Sequence, residues 1–268
     1  MIQSQKTIKK KTPVIAMCHI SALPGEPHFD ERSGVSGVVE RVGTDLDALQ
    51  RADVDAVLFS NEFSMPYRLS ADMVTVAGMA EVIGELKSQI TVPFGVDYMF
   101  DAKASVDLAA VTGASFIRCV ASGAYSSDFG IWNTDAGEVA RHIYNRRIEK
   151  NLKVFYSIVP QGSVALAERE LKENLRTVQQ HINPDAICRH SSILSKLINS
   201  GKIGTILKEK KYALIVDGGC NQENICEIVP WVDGVIVGSA LKVSGVFEKE
   251  IDPERVVKFM KTIRAVSR

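Results

Sequence analysis

The 268 residues carry no net charge, because 32 Lys and Arg stand against 32 Asp and Glu. Proteins that bind nucleic acid need a basic excess to neutralise phosphates, so this balance argues against such a partner. The only basic cluster, Lys6, Lys9, Lys10 and Lys11, makes residues 1–12 a short flexible basic segment rather than a binding arm. Long apolar runs are missing too. The first apolar stretch, 14–20, is broken by His19 and falls well short of the roughly 20 residues that cross a bilayer. With no signal-peptide pattern before it, the expectation is a cytoplasmic protein without membrane insertion. Cysteine is sparse and odd in number, at five, with no CxxC pair. That argues against a disulfide framework and a structural zinc site, and no clustered metal-ligand motif is visible. Linkers rich in Pro, Gly or Ser, internal repeats and low-complexity tracts are likewise absent, so residues 1–268 are expected to form a single domain.

What is present is enough apolar material, 46% of the chain, for a sizeable core. Eight short runs, 14–20, 54–61, 92–99, 115–122, 153–159, 185–190, 212–218 and 232–238, are nearly continuous in apolar and β-branched residues. Continuous runs, rather than clean alternations, are the pattern of parallel strands covered on both faces. Amphipathic helical segments separate them. Val38, Val42, Leu46 and Leu49 recur at three- and four-residue steps, 73–86 repeats the pattern, and 165–181 reads as one charged helix. Pro253 opens a last helix as a first-turn proline does. Eight strand–helix units close naturally into a (β/α)₈ TIM barrel, for which about 250 residues suffice. Units three and seven are short, which keeps an open doubly wound sheet as the alternative.

The seventh run ends at Asp217-Gly218-Gly219, and the eighth leads through Gly238 into Ser239-Ala240-Leu241-Lys242. In a barrel these turns lie side by side at the C-terminal rim, where phosphate commonly binds. Glycine lets backbone N–H groups approach an anion without an intervening side chain, and a helix starting at Ser239 would aim its positive end at the same anion. Gly218, Gly219, Gly238 and Ser239 are therefore the expected phosphate-binding residues. A single Gly-Gly turn would mean only a tight turn; two such turns on consecutive C-terminal strands point to a ligand.

The chain also resembles the BtpA/SgcQ family of ribulose-phosphate-binding-type barrels, named after a photosystem I biogenesis factor. The resemblance rests on 14–25 (VIAMCHISALPG), Asn61 with Met65-Pro66-Tyr67, 114–118, Gly123-Ala124, 128–131 and 234–242 with Gly245. It implies the barrel and the phosphate site. The chain departs from the family pattern at Ser60 and Ser157, where acidic residues are usual, and at Arg189-His190 in place of a Thr-Gly turn.

Polar residues at C-terminal strand ends are the candidate catalytic groups. His19 ends the first run, and Asn61, which sits in the family match, follows the second together with Glu62. Asp97 and Arg118 each interrupt an otherwise apolar strand, and a buried charge there needs a partner. An Asp97–Arg118 ion pair between neighbouring strands is the structural alternative to an acid–base role. Asp217 ends strand seven beside the glycine turn, while Asp128 and His190 are weaker candidates and Cys220 reads as a small loop residue. The expected ligand is a phosphorylated sugar or related metabolite, handled by aldol, isomerase or glycosyl-type acid–base chemistry. The alternative is a non-catalytic binding or biogenesis factor on the same barrel. The sequence names no cofactor and is compatible with a homo-oligomer.

Overall fold

All six residues of the first strand, β1 (Val14–His19), are buried, as continuous apolar runs require when both faces are covered. The computed structural model describes residues 12–120, 122–160, 162–167 and 169–266; Lys6, Lys9, Lys10 and Lys11 lie outside them. The chain continues through α1 (Gly34–Arg51), β2 (Ala56–Ser60), α2 (Met73–Leu86), β3 (Phe94–Asp97), α3 (Ala102–Thr112) and β4 (Phe116–Cys119). A hairpin of β5 (Ala124–Ser127) and β6 (Gly130–Asn133) precedes α4 (Ala136–Asn145), β7 (Lys153–Ser157), β8 (Ser163–Ala165) and α5 (Leu171–His181). The rest comprises β9 (Ala186–Arg189), α6 (Ser191–Asn199), α7 (Ile203–Glu209), β10 (Ala213–Asp217), α8 (Ile225–Ile228), β11 (Gly234–Val237) and α9 (Pro253–Val266).

Eight parallel strands close a barrel in the order β1-β2-β3-β4-β7-β9-β10-β11 and back to β1. The open-sheet alternative is therefore discarded: β1 pairs with β11, Ala16 opposite Val237, as well as with β2. The period of two along each strand divides its residues between two cores. Ile15, Met17, Leu58, Phe116, Ile215 and Ile236 fill the barrel interior. Ala16, Cys18, Val57, Phe59, Val216 and Val237 face outward and pack with the helices. Inside, Phe116 stacks on Phe155 with centroids 5.0 Å apart. Gly95 makes room for this, since a Cβ there would sit 2.2 Å from the Phe116 ring.

The helices start and stop where their chemistry dictates. Asp72, Asp101 and Asp135 accept hydrogen bonds from first-turn N–H groups of α2, α3 and α4, the role of an N-cap carboxylate. Gly113 ends α3 at φ +76°, a left-handed stop that suits glycine. Val38, Val42, Leu46 and Leu49 form the buried stripe of α1.

Two expectations need correction. The charged segment from 165 does not begin as a helix: Ser163–Ala165 is strand β8, and α5 starts at Leu171. The loops after β4 and β7 also form a three-stranded antiparallel sheet, ordered β6-β5-β8, outside the barrel. The missed sheet has a simple cause. Its strands are three or four residues long, too short for periodicity to register.

Candidate functional site at the barrel mouth

The same period of two selects the polar residues of the C-terminal mouth. Counting on from Met17, Leu58, Phe116, Ile215 and Ile236 by two gives His19, Ser60, Arg118, Asp217 and Gly238, and Ser60 in turn leads to Glu62. Together with Asp97 on β3, all but Ser60 line one cavity of about 570 Å³, a size suited to a small-molecule ligand. Gly218, Gly219 and Ser239 line it as well. Asn61 does not. It falls on the other parity, and its Oδ1 accepts the Met99 N–H at 2.7 Å, tying the loop after β3 to the wall behind the site.

Arg118 is the hub. Its Nε and Nη2 lie 2.6 Å from Asp97 Oδ2, its Nη1 donates to Asp217 Oδ1 at 2.8 Å, and its Nη2 reaches Glu62 Oε1 at 3.3 Å. The Asp97–Arg118 pair is thus present but forms one arm of a larger cluster, in which three carboxyl groups, from the loop after β2, from β3 and from β10, share one guanidinium. Burial opposes the Arg118 charge, yet Asp217, Asp97 and Glu62 overcome it and hold the guanidinium well above its ordinary value. Burial pushes the Asp97 carboxyl up against the pull of Arg118. Burial also raises Glu62, Arg118 opposes that shift, and the Asp97 and Asp217 charges add to it. One guanidinium cannot neutralise three carboxylates, so the cluster favours holding a proton. Glu62 has the longest bond to Arg118 of the three.

A pH dependence follows. The raised Glu62 carboxyl keeps its proton to higher pH in the folded chain than in the unfolded one. Its contribution to stability is complete below the ordinary carboxyl value of 4.5 and is lost as pH rises through the folded value. Glu62→Gln mimics the protonated form at every pH. The melting temperature of the variant relative to the parent is therefore expected to climb as pH rises above 4.5. A difference that stays flat would mean that Glu62 is not the proton holder.

Across the mouth, Gly218 and Gly219 take φ +81° and +66°, consecutive left-handed positions that ordinary side chains avoid. A Cβ on Gly219 would meet Ser191 Oγ at 2.5 Å and His190 Cε1 at 2.7 Å. His190 Nδ1 accepts from the Ser192 N–H at the start of α6, which leaves Nε2 as the ring's donor on the cavity side. At Gly238 the backbone, φ −124° and ψ −95°, lies outside the helical and extended regions, and a Cβ would lie 3.2 Å from the His19 ring. The segment after it is a single 3₁₀ turn, Ser239–Leu241, instead of the expected helix, and so offers N–H groups without a helix dipole.

His19 packs against the paired rings of Phe63 and Phe247, with centroids at 6.0 and 5.3 Å. Its Nδ1 is buried with no hydrogen-bond partner among the described residues. Burial, Lys242 and Arg118 all lower its pKa, so the ring is a neutral imidazole. Behind it Lys242 is fully buried. Its Nζ donates to the Phe247 carbonyl, and burial pulls the ammonium down to about 8. Cys220 lines the cavity, but burial raises its thiol to about 12, so it is not a ready nucleophile. Asp128 is not among the lining residues.

Sequence reasoning missed an aromatic wall. Tyr67, Phe100, Phe129 and Trp132 line the cavity and pack on one another: Phe100 lies 5.2 Å from Tyr67, 5.3 Å from Phe129 and 4.6 Å from Trp132. Tyr67 and Phe129 occur in the segments that carry the family resemblance. Nothing in a linear reading brings three separate loops together.

Among the described residues, no group of three or more His, Cys, Asp or Glu is arranged to hold a metal ion, and no helix is long and apolar enough to cross a membrane. The BtpA family matches residues 10–265. The sgc region protein SgcQ of Escherichia coli is 38% identical over 98% of this chain and 98% of its own length. The photosystem I biogenesis protein BtpA of Synechocystis is 24% identical over 96% of this chain and 90% of its own. Among solved structures, thiamine phosphate pyrophosphorylase from Pyrococcus furiosus superposes with a TM-score of 0.57 at 14% identity, covering 97% of this chain and 99% of that one.

Proposed function

This chain belongs to the BtpA family, and from its barrel mouth we propose that it is an enzyme acting on a phosphorylated sugar or related phosphorylated metabolite. One observation carries the reading: the Arg118 cluster, with three carboxyl groups competing for one guanidinium, lies in the same cavity as the two glycine turns. Gly218, Gly219, Gly238 and Ser239 hold the phosphate, with the His190 Nε2–H as a further donor. Binding energy from this remote group aligns the reacting end. Glu62 and Asp97 exchange protons with the substrate, Asp217 accepts from a sugar hydroxyl, and Arg118 stabilises negative charge as it develops. His19, neutral and buried, orients the ligand and carries no charge to it. Aldol, isomerase and glycosyl-type reactions can all draw on such acid–base groups.

The phosphate half is tested by titrating inorganic phosphate and ribose 5-phosphate while following thermal stability. A ligand at a hundred times its Kd adds about 2.7 kcal/mol. In Gly238→Val the added side chain collides with His19 and Met17, and the shift is expected to vanish while the far-UV spectrum is retained. An unchanged affinity in that variant removes Gly238 from the site, and no shift with either compound in the parent removes the phosphate reading.

A second reading, a barrel that binds without turnover, draws on the name of the Synechocystis relative, a photosystem I biogenesis protein, and on Ser60 and Ser157 in place of acidic residues. Saturable binding of a phosphorylated sugar without conversion would favour it.

A further inference from the structure

We infer that the cavity takes a phosphorylated riboside carrying a planar heteroaromatic group, the chemical class of nucleoside 5′-monophosphates, with the ring against Phe100 and Phe129 and the phosphate at the glycine turns. The inference rests on the proposed phosphate site and extends it to the opposite wall.

Barrel order supplies the geometry. In the closed sequence β1-β2-β3-β4-β7-β9-β10-β11, the third and fourth strands face the seventh and eighth across the mouth. Phe100 follows the third strand, and Phe129 sits on the hairpin after the fourth. The two glycine turns follow the seventh and eighth. Aromatic wall and glycine turns are therefore diametrically opposed. The Arg118 cluster spans the floor between them, since Arg118 on the fourth strand reaches Asp217 on the seventh at 2.8 Å.

Three chemistries thus succeed one another along the cavity: N–H groups for an anion, carboxylates as acceptors for hydroxyls, and ring faces. A sugar phosphate alone uses the first two and leaves the rings facing water. The rings are also held in place. Phe100 stands at φ +70°, a conformation that persists in a non-glycine residue only when its surroundings enforce it. Trp132 buttresses it from behind, edge to face and only 4% exposed. Phe129 is at the tip of the two-residue turn between Ser127 and Gly130, where its N–H is fixed by Ser127 Oγ at 3.2 Å. At 38% exposure its ring is open to the cavity side. Flat π faces of this kind favour heteroaromatic rings by stacking, with little regard to which ring it is.

The experiment is calorimetric titration of the full chain with ribose 5-phosphate, the four common nucleoside 5′-monophosphates and adenosine. At least one nucleotide is expected to bind tighter than ribose 5-phosphate by roughly 5- to 150-fold, the usual worth of one stacked base. Phe129→Ala should erase most of that advantage and leave ribose 5-phosphate unchanged. Phe129→Leu, which keeps apolar bulk without a ring, should do the same and serves if the alanine variant folds poorly. Equal binding of ribose 5-phosphate and every nucleotide, insensitive to Phe129, would overturn the inference and leave the phosphate site standing. Adenosine binding as tightly as its 5′-phosphate would overturn it by removing the phosphate site. Binding of none of the compounds would overturn both.

Discussion

Arg118→Met is expected to destabilise the protein by about 3–5 kcal/mol at neutral pH, the cost of removing one partner from a buried ionic cluster. Arg118 is only 13% exposed, so solvent cannot take over its role. Without the guanidinium, Asp97, Glu62 and Asp217 are left facing one another in a cavity that already raises two of them by burial. The folded-state pKa values of Glu62 and Asp97 then rise further above the unfolded ones. Groups raised in this way contribute their stability at low pH and lose it as pH increases. The defect should thus grow as pH rises above the ordinary carboxyl range and shrink as pH falls toward it. Chemical denaturation of parent and variant across that range measures it. A pH-independent loss would mean that cavity formation, not unpaired charge, is the cause. No loss at all would show that the carboxylates do not depend on Arg118.

Asp97→Asn is expected to lower turnover of the phosphorylated substrate by roughly 10²–10⁴-fold, the usual worth of a positioned acid–base group, with ligand affinity nearly unchanged. The amide keeps the size of the carboxyl and removes its basicity. The stability cost should be smaller than for Arg118→Met, because Arg118 retains Asp217 and Glu62 and no charge is stranded. This asymmetry separates catalysis from architecture. A loss near the full 3–5 kcal/mol of a broken buried pair, with normal specific activity in the folded fraction, would assign Asp97 to architecture alone. A stable variant with collapsed turnover assigns it to the chemistry.

The eight apolar runs and their spacing pointed to a parallel sheet, because strands buried on both faces leave a continuous apolar pattern, but only the pairing of β1 with β11 decided for the closed barrel over an open doubly wound sheet. The odd polar residues in those runs, Asp97 and Arg118, marked the site for the same reason: a charge in such a strand must have partners. The sequence reading favoured Asn61 over Glu62, and only the structure separates them: Glu62 lines the cavity, whereas Asn61 accepts the Met99 N–H. What the linear chain did not contain was the sharing of Arg118 among three carboxyl groups. Glu62 and Asp217 lie 56 and 99 residues from it, and only closure of the barrel brings their strands around one mouth. The aromatic wall and the β5–β6–β8 sheet were hidden for a related reason. Their strands are too short for periodicity to reveal, and their rings come from loops that only tertiary packing gathers. The sequence alone determined the alternation of strands and helices and where glycines permit left-handed turns, since those are local properties of the chain. The tertiary structure decided which inward-facing groups meet, because that depends on strand order around a closed sheet.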